Sequence, residues 1–312
     1  MTIRQSIRTY TTLKAGGEAE FFEHVSDLSK LIKVAKNAQR NGLDVTPVGW
    51  GSNILPSDKG VSGLVIANAT SGIEFKSDGT VLADSGVAFQ NLFLFCAQRG
   101  LGGLEYAVGI PGSLGGSMVS NAGAYRSCIS EFLTRIQIVK DGEEQWVDPS
   151  WMQFSYRDSI LRKPGGAKAV ITQVEMKLQS RNQKDIYDEA REYQRQRIGK
   201  QPPSASAGSF FKNVISPELA QSIDGLTEGM RKNNVVPAGF LIERCGLRGH
   251  RHGGAMVGER HANFLLNVNG ATATEIRQLA SLVKQRVNEK YGVELEEEVL
   301  YLGDWSDYQP LS

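Results

Sequence analysis

Two glycine clusters are the first features of this sequence that could do chemistry. One is Gly49-Trp50-Gly51-Ser52-Asn53, at the end of a short apolar run. The other fills residues 100–123, which hold eight of the chain's 34 glycines: 100, 102, 103, 109, 112, 115, 116 and 123. Its centre reads Gly109-Ile110-Pro111-Gly112-Ser113-Leu114-Gly115-Gly116, followed by Asn121-Ala122-Gly123. Glycine tolerates positive φ and has no Cβ, so a backbone rich in it can approach a ligand closely. Successive amides in such a run can point at one anion, which suits a pyrophosphate without any lysine. The competing reading is a set of tight turns in a β-rich domain. Neither cluster is a Rossmann fingerprint, because no Gly-x-Gly-x-x-Gly opens a helix with an acid downstream. No Gly-Lys-Ser/Thr is present, so there is no P-loop.

The elements that must position these clusters can be read from periodicity. Residues 28–41 and 89–99 have helical spacing. Residues 44–55, 63–69 and 80–89 read as strands, the first running into the Gly-x-Gly-Ser-Asn turn. Residues 132–149 read as a hairpin turning at Asp141-Gly142, and 166–180 as a further strand. Residues 185–198 are a charged helix ending before Gly199 and a Pro-Pro-Ser-Ala-Ser stretch, which marks the best internal boundary. Residues 218–225 and 237–246 suggest short helices, and 255–269 holds a strand. The clearest helix is 274–291, with Thr272 and Glu275 as a capping box. Residues 293–303 (VELEEEVLYLG) read as the last strand. Helices and strands mix without regular βα alternation, so the class is α+β.

Bulk composition excludes other functions. The 35 Lys and Arg balance 34 Asp and Glu. That neutrality argues against a nucleic-acid surface, yet leaves room for a nucleotide cradled by backbone. Cys96, Cys128 and Cys245 are too few and too scattered for a disulfide framework. His250 and His252 lack a third ligand at metal spacing, so no metal is expected. No apolar leader or membrane-length run is seen, and the reading is a soluble cytoplasmic protein.

Further motifs, in order, are Thr11-Thr12-Leu13-Lys14-Ala15-Gly16-Gly17, Tyr156-Arg157-Asp158-Ser159 and Arg197-Ile198-Gly199-Lys200-Gln201-Pro202. Ala207-Gly208-Ser209-Phe210-Phe211-Lys212-Asn213, residues 239–249, His261-Ala262-Asn263-Phe264 and Glu298-Val299 with Gly303 follow. With the glycine clusters, their order and spacing resembles the UDP-N-acetylenolpyruvoylglucosamine reductase family along nearly the whole chain. The match looks like the shorter branch of that family, without an extra tyrosine loop.

The resemblance implies a two-lobed FAD-binding module of the vanillyl-alcohol-oxidase type, residues 1–65 and 66–198, with 302–312 as a candidate addition to the first lobe. Residues 199–301 would form an α+β substrate-binding domain. Gly49, Gly51, Ser52, Asn53, Gly109, Ile110, Pro111, Gly112, Ser113, Gly115, Gly116, Asn121 and Gly123 would hold FAD. No histidine or cysteine lies in either cluster, so the flavin is expected to be non-covalent, with NADPH as reductant. Hydride would go to C3 of the enolpyruvyl sugar nucleotide and a proton from Ser209 to C2. Arg157 and Glu298 would polarise the enolpyruvyl carboxylate, the glutamate in protonated or proton-sharing form. Tyr156, Lys200, Asn213 and His261 would contact substrate. Read from residues alone, Ser209 is sooner a turn or cap serine, and Arg157 sooner a salt-bridge partner of Asp158 or another acid. Strand alternation over 293–301 selects Glu297, not Glu298, as the inward acid, so Glu297 stays as the runner-up. Another FAD-dependent oxidoreductase, or a non-catalytic nucleotide-binding protein, are the alternatives.

Overall fold

The computed structural model describes residues 2–163, 165–199 and 202–311. The chain divides into two compact units, each with its own core. The first comprises Met1–Gln5, Ala19–Gly51 and Ser62–Gly199; the second comprises Ser6–Glu18, Ser52–Val61 and Lys200–Ser312.

The first unit is built on two sheets. One has the order Thr2–Ser6, Glu18–Val25, Val61–Asn68, Val45–Val48, its last pair parallel. The other is antiparallel, ordered Glu143–Val147, Leu133–Lys140, Ala169–Lys177, Thr80–Asp84, Ile73–Phe75. Helix α1 (Leu28–Arg40) has Asp27 accepting from the Lys30 amide as its N-cap. Its Leu31, Ala35 and Ala38 recur on one face and pack on Val25, Leu64 and Ile66 of the first sheet and Val139 and Val170 of the second. The hairpin at Asp141-Gly142 has positive φ at both positions (53° and 76°), the twist a two-residue loop requires. Helix α2 (Phe89–Ala97) buries Phe89, Leu92, Phe93 and Cys96 against the second sheet. Helix α3 (Leu114–Val119) lies inside the glycine-rich stretch, where periodicity marks no helix. Helix α4 (Gln183–Ile198) buries only Ile186 and Ala190.

The second unit holds an antiparallel sheet ordered Ala205–Ser209, Phe264–Asn267, Ala255–Val257, Arg251–His252. Helices α5 (Pro217–Ser222), α6 (Glu228–Lys232) and α7 (Ala238–Arg244) follow its first strand. Helix α8 (Ala273–Tyr291) carries the full Thr272/Glu275 capping box, and its Ile276, Leu279, Ala280, Val283 and Val287 fill the core. Residues 6–18 and 52–61, expected with the first lobe, group with this unit instead, as do 302–312. Backbone contact explains it. A Cβ at Gly17 would lie 2.3 Å from the Asp58 oxygen, one at Gly60 2.2 Å from that of Glu18, and one at Gly303 2.0 Å from that of Gly60. Asp58 also accepts from the Ala273 and Thr274 amides at 2.9 and 2.8 Å, tying the segment to the start of α8.

The expected strand over 293–303 is a correction. Only Leu300–Leu302 is a strand, parallel to Ile54–Pro56. Before it the chain makes single bonds to the neighbouring segment: the Lys212 amide to the Glu296 oxygen and the Glu298 amide to the Phe210 oxygen, both at 2.8 Å. Those bonds hold the three glutamates without a continuous ladder.

Candidate active site

In the first unit the two glycine clusters meet. A Cβ at Gly49 would lie 2.1 Å from Ser113 Oγ, so only glycine fits there. Ser113 caps α3, its hydroxyl accepting from the Gly116 amide at 3.2 Å. A Cβ on Gly116 would meet only that hydroxyl, at 3.4 Å, leaving its other side open. Gly109 is similar: φ is +72°, its amide donates to Gln90 Oε1, and a Cβ would meet only Arg197 Cδ at 3.4 Å. Gly112 has φ +138°.

The amides do not all point outward as expected. Leu114 N–H donates to the Val87 oxygen at 2.8 Å and Gly115 N–H to the Ser85 oxygen at 2.7 Å. With the Gly116 amide on Ser113, three successive donors are spent within the protein. Glycine here therefore mainly provides close approach, with open Cα faces at 109 and 116.

Beyond α3 the backbone is strained. Asn121, Tyr125, Arg126 and Arg157 all have positive φ, from 43° to 71°. Such outliers concentrate where the surroundings enforce a functional geometry. Tyr156 and Arg157 form the tip of a two-residue loop closed by reciprocal 3.2 Å bonds between Ser155 and Asp158. Asn121 fastens that loop, its Nδ2 donating to the Ser155 oxygen at 3.0 Å, and Arg157 donates to the Gly123 oxygen. Asp158 faces Arg162 at 3.7 Å. Arg197 reaches in from α4, its guanidinium on the Tyr106 oxygen (3.2 Å) and over the Tyr125 ring (5.5 Å). Burial, and after it the charge of Arg157, hold its pKa below the usual range. Two guanidiniums in one strained loop cluster make a local field that favours an anion.

In the second unit Gly208 has φ +75°, with nothing within 4 Å of a would-be Cβ. It sits in an irregularity between the Ser206–Leu266 and Ser209–Phe264 pairs. A bulge of this kind re-aims the next side chain, which is Ser209. Asn263 then clamps the chain: its carbonyl accepts from the Phe210 amide (2.7 Å), its Oδ1 from the Phe211 amide (3.0 Å), and its Nδ2 donates to the Phe211 oxygen (2.8 Å). The Phe210 oxygen takes the Glu298 amide, and Asn53 Nδ2 holds the Glu298 oxygen at 3.0 Å. Glu297 is bound elsewhere, by Lys284 Nζ of α8 at 3.0 and 3.2 Å and by the Tyr301 hydroxyl at 3.4 Å.

Residues 20–148 match the model of an FAD binding domain, and residues 200–302 that of the UDP-N-acetylenolpyruvoylglucosamine reductase C-terminal domain. The reductase of that name from Synechococcus sp. (strain JA-3-3Ab) is 36% identical over 301 residues, covering 95% of this chain and 89% of the relative. That of Thermotoga maritima is 35% identical, covering 95% of this chain and 96% of its own. The chain belongs to the UDP-N-acetylenolpyruvoylglucosamine reductase family. A solved structure of the family, from Thermus caldophilus, superposes with a TM-score of 0.74 at 30% identity, covering 96% of this chain and 98% of the other.

The FAD-binding match spans both glycine clusters up to Asn121 and Gly123. The open Cα faces at Gly109 and Gly116 fit a flavin dinucleotide lying against backbone. The expected residues separate by unit. Gly49, Gly51, the 109–123 set, Tyr156 and Arg157 lie in the first; Ser52, Asn53, Ser209, Asn213, His261 and Glu298 lie in the second. Asn53, expected at the cofactor, uses its amide on the Glu298 backbone. Asn213 Oδ1 accepts from the Ala238 amide at 3.2 Å and so caps α7. His261 Nδ1 accepts from the Asn263 amide at 3.2 Å. Lys200 lies outside the described residues. Arg197 and Asn263 stood in the quoted motifs without a role. Their only sequence signal was that membership, because the contacts they make are long-range. Among the described residues no helix is long and apolar enough to cross a membrane, and no group of His, Cys, Asp and Glu could hold a metal ion.

Proposed function

We propose that Ser209, Arg157 and Glu298 carry the chemical step that reduces UDP-N-acetylglucosamine enolpyruvate to UDP-N-acetylmuramate, a peptidoglycan precursor. FAD, reduced by NADPH, supplies the hydride that C3 of the enolpyruvyl group accepts. The work of the chain's own residues is to bind the carboxylate, stabilise charge at C2 and deliver a proton there.

Hydride addition at C3 leaves an electron pair at C2, delocalised into the adjoining carboxylate as an enolate. Arg157 can grip that carboxylate through paired N–H donors, which strengthen as its charge grows. Glu298 acts in protonated form, because a second carboxylate would repel the first. Ser209 Oγ gives its proton to C2, and solvent returns one to the alkoxide. A hydroxyl is a weak acid in water. It serves here only because the enolate carbon is strongly basic and the donor is held in place.

The observation that carries this reading is the fastening around Phe210. The Gly208 bulge aims Ser209, and the next residue's carbonyl fixes the Glu298 backbone. Gly49, Ser113, Gly109 and Gly116 are the residues we assign to the flavin, held without a covalent bond. For substrate we retain Tyr156 beside Arg157, Lys200 on the diphosphate, and Asn213 through its amide hydrogens. His261 is kept as a contact near the sugar nucleotide. The three cysteines are free thiols, which fits the cytoplasm, where we place the enzyme.

The test is spectroscopic. The purified protein is expected to be yellow, to bleach with NADPH and to regain colour when the enolpyruvyl sugar nucleotide is added. Bleaching without substrate-driven recovery would refute the substrate while leaving the flavin intact.

A further inference from the structure

Arg277, in α8, lies 4.4 Å from the ring centre of Tyr301, 4.6 Å from that of Trp305 and 4.0 Å from that of Tyr308. Its Nη1 is buried without a hydrogen-bond partner, and among the described residues no carboxylate pairs with it. A guanidinium nitrogen taken out of water without a counter-ion is costly unless something replaces water, and three π faces do so. The rings come from the last strand and from the C-terminal segment that follows it. That segment is tied down separately: Tyr308 OH donates to the Arg277 oxygen (3.2 Å), Trp305 Nε1 to the Leu302 oxygen (3.0 Å) and Gln278 Nε2 to the Gln309 oxygen (3.1 Å). Lys59 also pairs with Asp304 and Asp307.

The cage leads directly to the proposed proton-donor site. The Tyr301 ring packs edge-on against Trp305 at 5.5 Å and, tilted by 52°, against Phe210 at 6.4 Å. Its hydroxyl reaches Glu297. Phe210 follows Ser209 in sequence and holds the Glu298 amide on its carbonyl. A shift of Tyr301 therefore acts on Phe210, which adjoins Ser209 in the chain and holds the Glu298 backbone.

We propose that Arg277 is a positioning residue, and that it and residues 301–308 form an aromatic brace setting Ser209 and Glu298 for proton transfer. This rests on the roles given to those two residues above. The brace acts on the second half of the reaction only, because flavin reduction uses neither side chain.

Rapid-mixing measurements of the two half-reactions, on flavin-loaded Arg277→Ala, Arg277→Lys and Tyr308→Leu, test it. In Arg277→Ala, reduction by NADPH is expected to stay within about twofold, while reoxidation at saturating enolpyruvyl substrate slows at least about tenfold with KM within about threefold. Arg277→Lys should recover most of the loss, since an ammonium also sits on ring faces. Tyr308→Leu, which removes one face, should fall between, and it decides the matter if Arg277→Ala does not fold. Normal reoxidation in Arg277→Ala or Tyr308→Leu, or equal slowing of both halves, overturns the brace. Ser209→Ala run alongside separates the two ideas. If Ser209→Ala loses reoxidation and the cage variants keep it, the brace alone is wrong. If Ser209→Ala keeps reoxidation, the underlying roles are wrong.

Discussion

Glu297 and Glu298 are neighbours with different environments. Alternation along 293–301 points Glu297 inward, and it does share a side with Tyr301. Its charge, however, is matched by Lys284, whose position on α8 no local pattern reveals. Glu298 is fixed through its backbone, between Phe210 and Asn53. We expect Glu298→Gln to lower turnover by about 10²-fold or more, the usual range for losing a positioned acid. Glu297→Gln should change turnover little and cost about 1 kcal/mol or less, because the Lys284 pair is partly exposed. Steady-state kinetics beside denaturant melts check both, and the reverse order of effects would give Glu297 the catalytic part.

At the scale of elements, what was legible had a local cause. The Thr272/Glu275 box and the Asp141-Gly142 turn need only their own residues, and both form. Helix α3 was hidden because two of its six residues are glycine and Ser113 is followed at the third position by Gly116 in place of an acid. The last strand is shorter than its sequence suggests because a run of β-compatible residues is held by single bonds to 210–212. The contact between Asp58 and α8 is long-range and has no sequence signal. Asp58 takes two of the first-turn amides that a helix leaves without internal partners. Asp58→Ala is therefore expected to cost about 1–2 kcal/mol, seen as a lower denaturant midpoint, with Asp58→Asn losing less. An unchanged midpoint for Asp58→Ala would show that water serves those amides as well.

At the scale of the whole molecule, the class and the family were legible from ordered motifs, whereas the division of the chain was not. Gly17, Gly60 and Gly303 announce close approach in the sequence but do not say to what. Only the fold shows that they bring residues 6–18 and 52–61 to the C-terminal unit. The first unit has its own electrostatic anchor. Glu175, 9% exposed, is gripped by Arg135 Nε and Nη2 at 3.0 Å each, with Thr134 at 2.9 Å and Lys76 at 3.3 Å. The Arg135 hydrogen bonds, above all, hold its carboxyl below the usual range. A depressed folded-state pKa stabilises above the unfolded value, about 4.3, and that contribution disappears as pH falls through the folded one. Glu175→Gln should thus cost about 1.5–3 kcal/mol at neutral pH. The gap to the parent protein should close below the ordinary glutamate range in melts run across pH. A gap that does not vary with pH would contradict the charge-based account.

The central claim is that Ser209 delivers the proton to C2, and separated half-reactions of Ser209→Ala test it most directly. Flavin bleaching by NADPH should proceed at the parent rate, while reoxidation by the enolpyruvyl substrate falls by about 10²- to 10⁴-fold. Reoxidation at the parent rate, or equal loss in both halves, would contradict it.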